Sequence, residues 1–428
     1  MKAGIESVNE LAFSLAHKGT MKRDFVLDAR DLKFYTKSTL SRPLPERDSL
    51  PHKIAQQAEE VRQITERSFV HQVKNGGKEI PFLVYTDMEG DRVFGQVDDH
   101  CLNQLASYVD VPFRYIKRMR DEEAPELMCE NLNHWLKRVP EKSKGRLLRS
   151  LKCADDDAAG NEVKFRSFHS DRYSIFDDED LFAACFGQGH DNPATAEHYR
   201  KMSPLGQLQS KYGLDIVSMN ITDNKFYLKV TFPNLRKDIS RDGKVGDIVQ
   251  YGLNIGNSEI GKGAIHVDSL LYRLICSNGM VVGETLNRRH LGQRNEFGEV
   301  AMRDDTRIAY KDAMFKMIRD VIEDTSNEVA FEQVAESIRK AQDSDQIIRP
   351  IKSVEYAAKE LSLSSSEAEK VTESLIRDRD YSQWGMVNAI TATANIVDDY
   401  DRASELEVLG GQILSFPSRE WRQYAEAA

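Results

Sequence analysis

The spacing of apolar residues changes near residue 300, and this change limits the fold more than any other feature of the chain. Before it, segments rich in Val, Ile, Tyr and Phe end at turn residues, which predicts strands at residues 215–220, 226–232, 249–255 and 264–275. After it, amphipathic periodicity and a capping box predict helices at residues 307–323, 329–341, 364–377, 384–397 and 419–427. This order predicts an α+β protein with a mixed or antiparallel sheet core, flanking helices and a mostly helical C-terminal region.

The 428 residues are too many for one ordinary domain of about 150 residues, so we expect three segments. Residues 1–80 form an N-terminal arm or appendage, with a polar helix at 54–69 and a turn at 74–78. Residues 81–300 form the α+β core, and residues 301–428 form the helical C-terminal region.

Shorter patterns predict further elements within these segments. An amphipathic helix is expected at residues 8–17 and a strand at 24–27, followed by helices at 102–119 and 125–136. Two strands, at 147–152 and 163–169, flank a polar loop and indicate a hairpin.

Composition and cysteine usage predict a cytoplasmic protein. No apolar run approaches the roughly 20 residues that a membrane span needs, which predicts no membrane partner, and the first residues show no apolar h-region, so we do not expect export. The five cysteines are widely spaced, as expected in a reducing compartment. The net charge of −10 argues against DNA coating by the whole surface but allows a local basic groove.

Motifs for cofactors and metals are incomplete, so we expect no cofactor and no metal. Residues 256–263 nearly match a P-loop, but Gly263 replaces the Mg²⁺-binding hydroxyl and a strand is predicted to follow, which indicates a hairpin turn. His190, Asp191 and His198 lie in a predicted surface loop without an H-E-x-x-H pattern, and a further ligand would have to come from elsewhere in the chain. The acidic residues 155–157 lack the EF-hand pattern.

A basic tract interleaved with aromatic residues is the clearest binding signal. Cations bind phosphates and aromatic rings stack on bases, so the tract predicts a nucleic-acid surface. The candidate residues are Trp135, Lys144, Arg146, Arg149, Lys164, Arg166, Arg172 and Tyr173. The alternative is a solvated helix end and an edge strand whose charges prevent aggregation.

Polar residues also interrupt the predicted strands in three clusters, at residues 170–173, at 257–259, and at 273–279 with 288–290. The set comprises Asp171, Asn257, Glu259, Arg273, Asn278, Arg289 and His290. Because charges inside strands are costly unless paired, we expect these clusters to meet on one sheet. Cys276 and His290 could form a nucleophile and base, but the apolar neighbours of Cys276 predict a buried, inert thiol, and no catalytic residue is assigned.

These clusters carry a resemblance to a known family. The segments FRSFHSDRY at 165–173, GLNIGNSEIG at 252–261 and YRLICSNGM at 272–280 resemble the phage/plasmid-like protein family of unknown function (domain of unknown function family 932). RRH at 288–290 and WGMVNAIT at 384–391 fit the same pattern, so the resemblance covers residues 20–400. It implies a protein carried by phages, plasmids and integrative elements, and it transfers no catalytic residue.

The leading hypothesis is a nucleic-acid-binding accessory protein of a mobile element, of the single-strand annealing or recombination type, that works as a homo-oligomer on single-stranded DNA. Such proteins need no catalytic residues. One alternative is an enzyme that acts on nucleic acid or a nucleotide through Arg172, Glu259, Arg273 and His290. Another is an interaction protein that counters host defence by binding phage or host proteins.

Overall fold

The computed structural model describes residues 8–36, 81–86, 92–122, 124–140, 145–153, 162–170, 173, 175–187, 201–240, 246–274, 278–288 and 304–427. The predictions at 54–69, 74–78, 155–157 and 190–198 lie outside these residues. Within them the α+β class is confirmed, with antiparallel sheets and a helical C-terminal region.

The described strands fall into three sheets. They are β1 (Phe25–Leu27), β2 (Lys33–Tyr35), β3 (Phe82–Thr86), β4 (Arg92–Gln96), β5 (Arg146–Lys152), β6 (Val163–Ser170), β7 (Asp215–Ile221), β8 (Phe226–Asp238), β9 (Ile248–Asn257), β10 (Ile265–Arg273) and β11 (Asn278–Arg288).

The described helices flank these sheets and dominate the C-terminal region. They are α1 (Val8–Met21), α2 (Asp99–Tyr108), α3 (Phe113–Asp121), α4 (Pro125–Leu136), α5 (Asp178–Phe186), α6 (Pro204–Tyr212), α7 (Asp304–Thr325), α8 (Glu328–Gln342), α9 (Pro350–Glu360), α10 (Ser365–Asp378), α11 (Gln383–Ala394), α12 (Tyr400–Leu414) and α13 (Ser418–Ala425).

Packing divides the chain into two compact units. The large unit holds the described residues of Met1–Phe13, Ile175–His290 and Arg303–Ala428, and the small unit holds those of Ser14–Ser174. The segment boundaries expected near residues 80 and 300 come from changes in composition and apolar periodicity, whereas these two units are defined by packing. The segment boundaries stay a prediction.

The small unit is built on two three-stranded sheets, in the orders β1-β5-β6 and β2-β3-β4. Two parallel bridges, Phe94 to Glu162 and Val97 to Phe165, join β4 to β6. A Cβ atom on Gly95 would lie 1.6 Å from the Val163 carbonyl oxygen, so this junction requires glycine. Helices α2 to α4 supply buried side chains that share one core with residues from both sheets.

One helix expected in the small unit is instead two. The stretch 102–119 is divided into α2 and α3 by Val109–Pro112, and Asp110 has a φ of 57°. Pro112 has no N–H to continue the ladder of α2, and it disfavours helical geometry at the residue before it. Pro112 is the N-cap of α3.

The large unit is built on a five-stranded antiparallel sheet in the order β11-β10-β9-β8-β7. On one face, Tyr251 contacts Phe331 of α8 and Phe232 contacts Tyr212 of α6. Because strand side chains alternate, Lys229 of β8 lies on the opposite face, where it meets α12. The sheet therefore has an apolar face and a face with buried polar side chains.

Candidate functional site

Two arginines of the basic tract are structural. Arg149 is only 2% exposed, and its Nε donates to Asp24 Oδ2 at 2.9 Å. Arg166 is 4% exposed. Because a phosphate needs an accessible cation, burial argues against contact of these two residues with nucleic acid, and their assignment to the binding surface stays a prediction.

Arg146 has a different environment, at the end of the β5–β6 hairpin. Its guanidinium carbon lies 4.0 Å from the centre of the Tyr108 ring and 5.9 Å from that of Phe168. The Tyr108 and Phe168 rings meet edge to face at 5.3 Å. Arg146 is half-buried, so one part of it packs on aromatic rings and another part faces solvent.

A second aromatic pair lies on the adjacent strand, where His169 is the register partner of Leu147, so its side chain leaves the hairpin on the opposite face from that of Arg146. His169 of β6 stacks on Tyr173 with ring centres 3.8 Å apart and planes 14° from parallel. Gln104 Nε2 lies 3.4 Å from His169 Nδ1, and Gln104 Oε1 accepts a hydrogen bond from the Phe168 N–H at 2.7 Å. We call Gln104, Tyr108, Arg146, Phe168, His169 and Tyr173 the Arg146 surface.

Trp135 does not belong to this surface. It lies on α4, is 44% exposed, and meets the His134 ring edge to face. The adjacent Asn133 bonds the backbone of Phe34 on β2, whereas Arg146 lies on β5. Lys164 is half-buried on β6, and Lys144 and Arg172 lie outside the described residues. The described residues of the basic tract therefore lie at two different elements, helix α4 and the β5–β6 hairpin.

The second polar cluster stabilises the end of β9. Asn257 Nδ2 donates to the Phe176 carbonyl and to Asp178 Oδ1, both at 2.9 Å. Glu259 is 1% exposed, and its Oε1 accepts the Asp178 N–H at 3.1 Å. Both side chains thus satisfy buried groups at the beginning of α5, as the cost of burying them requires.

Arg273, in the third cluster, ends β10 in a bidentate ion pair. Its Nε and Nη2 donate to the two Asp247 carboxylate oxygens at 2.6 and 2.8 Å. The backbone of Asn278 is the register partner of Arg273. Asp171, Cys276, Arg289 and His290 lie outside the described residues.

The expectation that one sheet carries all three clusters is wrong. Ser170, which begins the first cluster, ends β6 in a sheet of the small unit, whereas Asn257 and Arg273 end strands of the large unit's sheet. The interpretation of residues 256–263 as a hairpin turn is confirmed, because they connect β9 to β10.

Sequence reasoning missed a row of polar side chains across the middle of the large unit's sheet. Ser218, Lys229, Asn254 and Asp268 are successive register partners on β7, β8, β9 and β10. The last three of these are at most 6% exposed. The available signal was period-two alternation, as in Ile265-His266-Val267-Asp268, which places His266 and Asp268 on the same face.

Helix α12 supplies polar partners to this row. Lys229 Nζ bonds Glu407, and Tyr227 donates to Asp401 Oδ1 at 2.9 Å. Burial would lower the pKa of Lys229, but Glu407 and Tyr400 together outweigh burial, and the pKa is raised. Burial, with a contribution from the Asp401 charge, raises the pKa of the Tyr227 hydroxyl. At neutral pH, Lys229 is therefore charged and Tyr227 protonated.

Comparison with protein-family models, with curated proteins and with solved structures finds no match to this chain. None of the helices in the described ranges is long and apolar enough to cross a membrane.

Proposed function

We propose that this chain is a nucleic-acid-binding accessory protein of a mobile element, which binds single-stranded DNA at the Arg146 surface. The observation that carries the proposal is the packing of the Arg146 guanidinium on the Tyr108 and Phe168 rings. Single-strand binders combine cations for the phosphate backbone with aromatic rings for the bases.

The geometry favours a single strand over a duplex. Arg146 is held by its aromatic neighbours, so its orientation is set before a ligand arrives and less side-chain entropy is lost on binding. The half-buried rings of Tyr108, His169 and Tyr173 offer stacking to unpaired bases, whereas a duplex keeps its bases inside the helix. The amide of Gln104 adds a polar group next to the His169 ring.

The mobile-element context rests on the resemblance of residues 165–173, 252–261 and 272–280 to the phage/plasmid-like family. Annealing or recombination by an oligomer is the corresponding activity, with base pairing supplying the specificity. The enzyme alternative is less favoured, because Glu259 and Arg273 stabilise local structure through Asp178 and Asp247.

Fluorescence anisotropy with a labelled single-stranded oligonucleotide tests this proposal on the full chain. Arg146→Ala removes the cation and its stacking, and we expect about tenfold weaker binding, since one stacking contact contributes about 1–3 kcal/mol. Arg146→Lys keeps the charge but loses the planar contact with the rings. Its affinity should therefore lie between that of the unchanged protein and that of Arg146→Ala.

Arg118→Ala is the matched control, because Arg118 is an exposed cation of the small unit that pairs with Glu122 on α3. It should bind within twofold of the unchanged protein. Equal affinities for Arg146→Ala and the unchanged protein would place binding elsewhere. No binding by the unchanged protein would reject the function.

A further inference from the structure

The polar row of the large unit contains an arrangement suited to a metal ion. His266 and Asp268 are separated by one residue on β10, so both side chains lie on the same face of the sheet. Asn254 is the register partner of Asp268 on β9. An imidazole, a carboxylate and an amide oxygen together suit a divalent ion with mixed nitrogen and oxygen preference, such as Mn²⁺.

The His266 ring is oriented as a metal ligand would be. Its Nδ1 lies 3.3 Å from the Ala264 carbonyl oxygen, so the proton belongs on Nδ1 and the lone pair on Nε2. Metal-binding histidines commonly use one ring nitrogen in this way and bind the ion with the other. Nε2 is on the side of Asn254, whose Nδ2 lies 3.4 Å away.

A glycine provides the space for this ring. Gly256 is the register partner of His266, and a Cβ atom there would lie 2.3 Å from His266 Cε1 and 2.6 Å from Nε2. Any other residue at position 256 would displace the imidazole. Strand β9 therefore has no side chain to pack at position 256, and the His266 ring occupies that space.

Asn254 supplies an independent observation. The residue is 4% exposed, and its Oδ1 has no hydrogen-bond donor. A buried, unsatisfied carbonyl costs about 1–3 kcal/mol, and a bound ion or water is an ordinary explanation. In the structure the amide faces His266 with Nδ2, so binding of one ion by both residues requires the amide to rotate by half a turn, which gives up the Nδ2 contact and turns Oδ1 toward Nε2.

We propose that Asn254, His266 and Asp268 bind a divalent metal ion on the polar face of the five-stranded sheet. No three His, Cys, Asp or Glu side chains are grouped to hold a metal in the described parts of the chain. The amide oxygen is therefore essential to this site, and water completes the coordination. Lys229, the other register partner of Asn254, has its charge balanced by Glu407. The site does not depend on the proposed nucleic-acid binding.

Equilibrium dialysis of the full chain against Mn²⁺ after chelator treatment, read by the electron paramagnetic resonance of the free ion, tests the site. We expect one bound Mn²⁺ per chain. His266→Gln and Asp268→Asn should each weaken binding at least tenfold. Asp247→Asn is the matched control, because Asp247 pairs with Arg273 away from the row, and it should bind within twofold.

Asn254→Asp keeps the test decisive even if those two variants unfold. An added carboxylate strengthens a metal site, so this variant should bind Mn²⁺ more tightly and gain more thermal stability from it. Absence of Mn²⁺ binding by the unchanged protein would overturn the proposal. The proposal is also overturned if His266→Gln and Asp268→Asn bind Mn²⁺ as tightly as the unchanged protein does. A folded Asn254→Asp variant that binds Mn²⁺ no more tightly than the unchanged protein would overturn it as well.

Discussion

Lys229 of strand β8 and Glu407 of helix α12 form an ion pair whose side chains are 6% and 12% exposed. Lys229 Nζ also lies 3.4 Å from Ser404 Oγ and 5.2 Å from the centre of the Tyr400 ring. These contacts attach α12 to the centre of the sheet. A buried pair of this kind is costly to break, because removal of one partner leaves the other charged and without compensation.

Removal of either partner should therefore destabilise the protein more than removal of both. We expect Lys229→Met and Glu407→Leu each to lower the free energy of unfolding by about 3–5 kcal/mol. The double variant should recover much of that loss. Chemical denaturation of the four proteins measures this coupling, and strictly additive losses would show that the two charges do not interact.

A second ion pair should make the free energy of unfolding depend on pH in the acidic range. Arg402 donates to both oxygens of Glu367 at 2.8 and 2.9 Å, and this contact lowers the pKa of Glu367 to about 2. A carboxyl group whose folded pKa is depressed stabilises the protein above its unfolded pKa, near 4.3. This contribution is lost as the pH falls through that value toward 2.

Arg402→Ala should thus lower the free energy of unfolding by about 2 kcal/mol at pH 7. The difference from the unchanged protein should shrink between about pH 4.5 and pH 2. Arg422→Ala, which breaks an exposed pair with Asp345, is the control and should change stability little. A difference that persists at pH 2 would contradict the role of the Glu367 charge.

Gly95 should tolerate no side chain. In Gly95→Ala the Cβ would overlap the Val163 carbonyl oxygen, which forces β4 away from β6. We expect a loss of about 3 kcal/mol or more. Gly263→Ala is the matched control, because its Cβ would meet nothing closer than 3.5 Å. Thermal unfolding of both variants and of the unchanged protein tests this prediction. If Gly95→Ala is as stable as Gly263→Ala, the β4–β6 junction can relax to accept a Cβ atom.

The salt dependence of DNA binding should report how many phosphates the protein neutralises. Arg146 and Lys164 are half-buried members of the basic tract, whereas Arg149 and Arg166 are buried. The slope of log affinity against log salt concentration is negative. Substitution of Arg146 and Lys164 by Ala should make it shallower, by about 0.7 for each phosphate that is no longer neutralised. Affinity measured at several salt concentrations gives the slope, and an unchanged slope would remove both residues from the interface.

Thiol reactivity should separate one described cysteine from the others. Cys153 is exposed, whereas Cys101, Cys129 and Cys185 are buried, and burial raises the pKa of the Cys185 thiol to about 12. Reagents attack the thiolate, so labelling of the native protein at neutral pH should occur at Cys153 long before the other three. Peptide mass spectrometry locates the label, and it also reports on Cys276. Early labelling of Cys185 would contradict the packing around α5.

Local patterns predicted much of the secondary structure. Segments rich in Val, Ile, Tyr and Phe that end at turn residues located β8, β9 and β10, and the Ser364 capping box located α10, where Ser364 Oγ accepts the Glu367 N–H at 3.2 Å. The division at Pro112 was missed, because apolar periodicity continued across a residue that ends a hydrogen-bond ladder.

The amino-acid sequence by itself determined the α+β class, the hairpin of β5 and β6, and the mostly helical structure after residue 300. These features follow from interactions between residues that are close together along the chain. Only the tertiary structure decided which charged residues have a local structural role. Arg149, Arg273 and Lys229 look alike in the sequence, yet each meets a carboxylate from another part of the chain, at Asp24, Asp247 and Glu407. Strand register and helix packing bring such partners together, and local composition does not encode either.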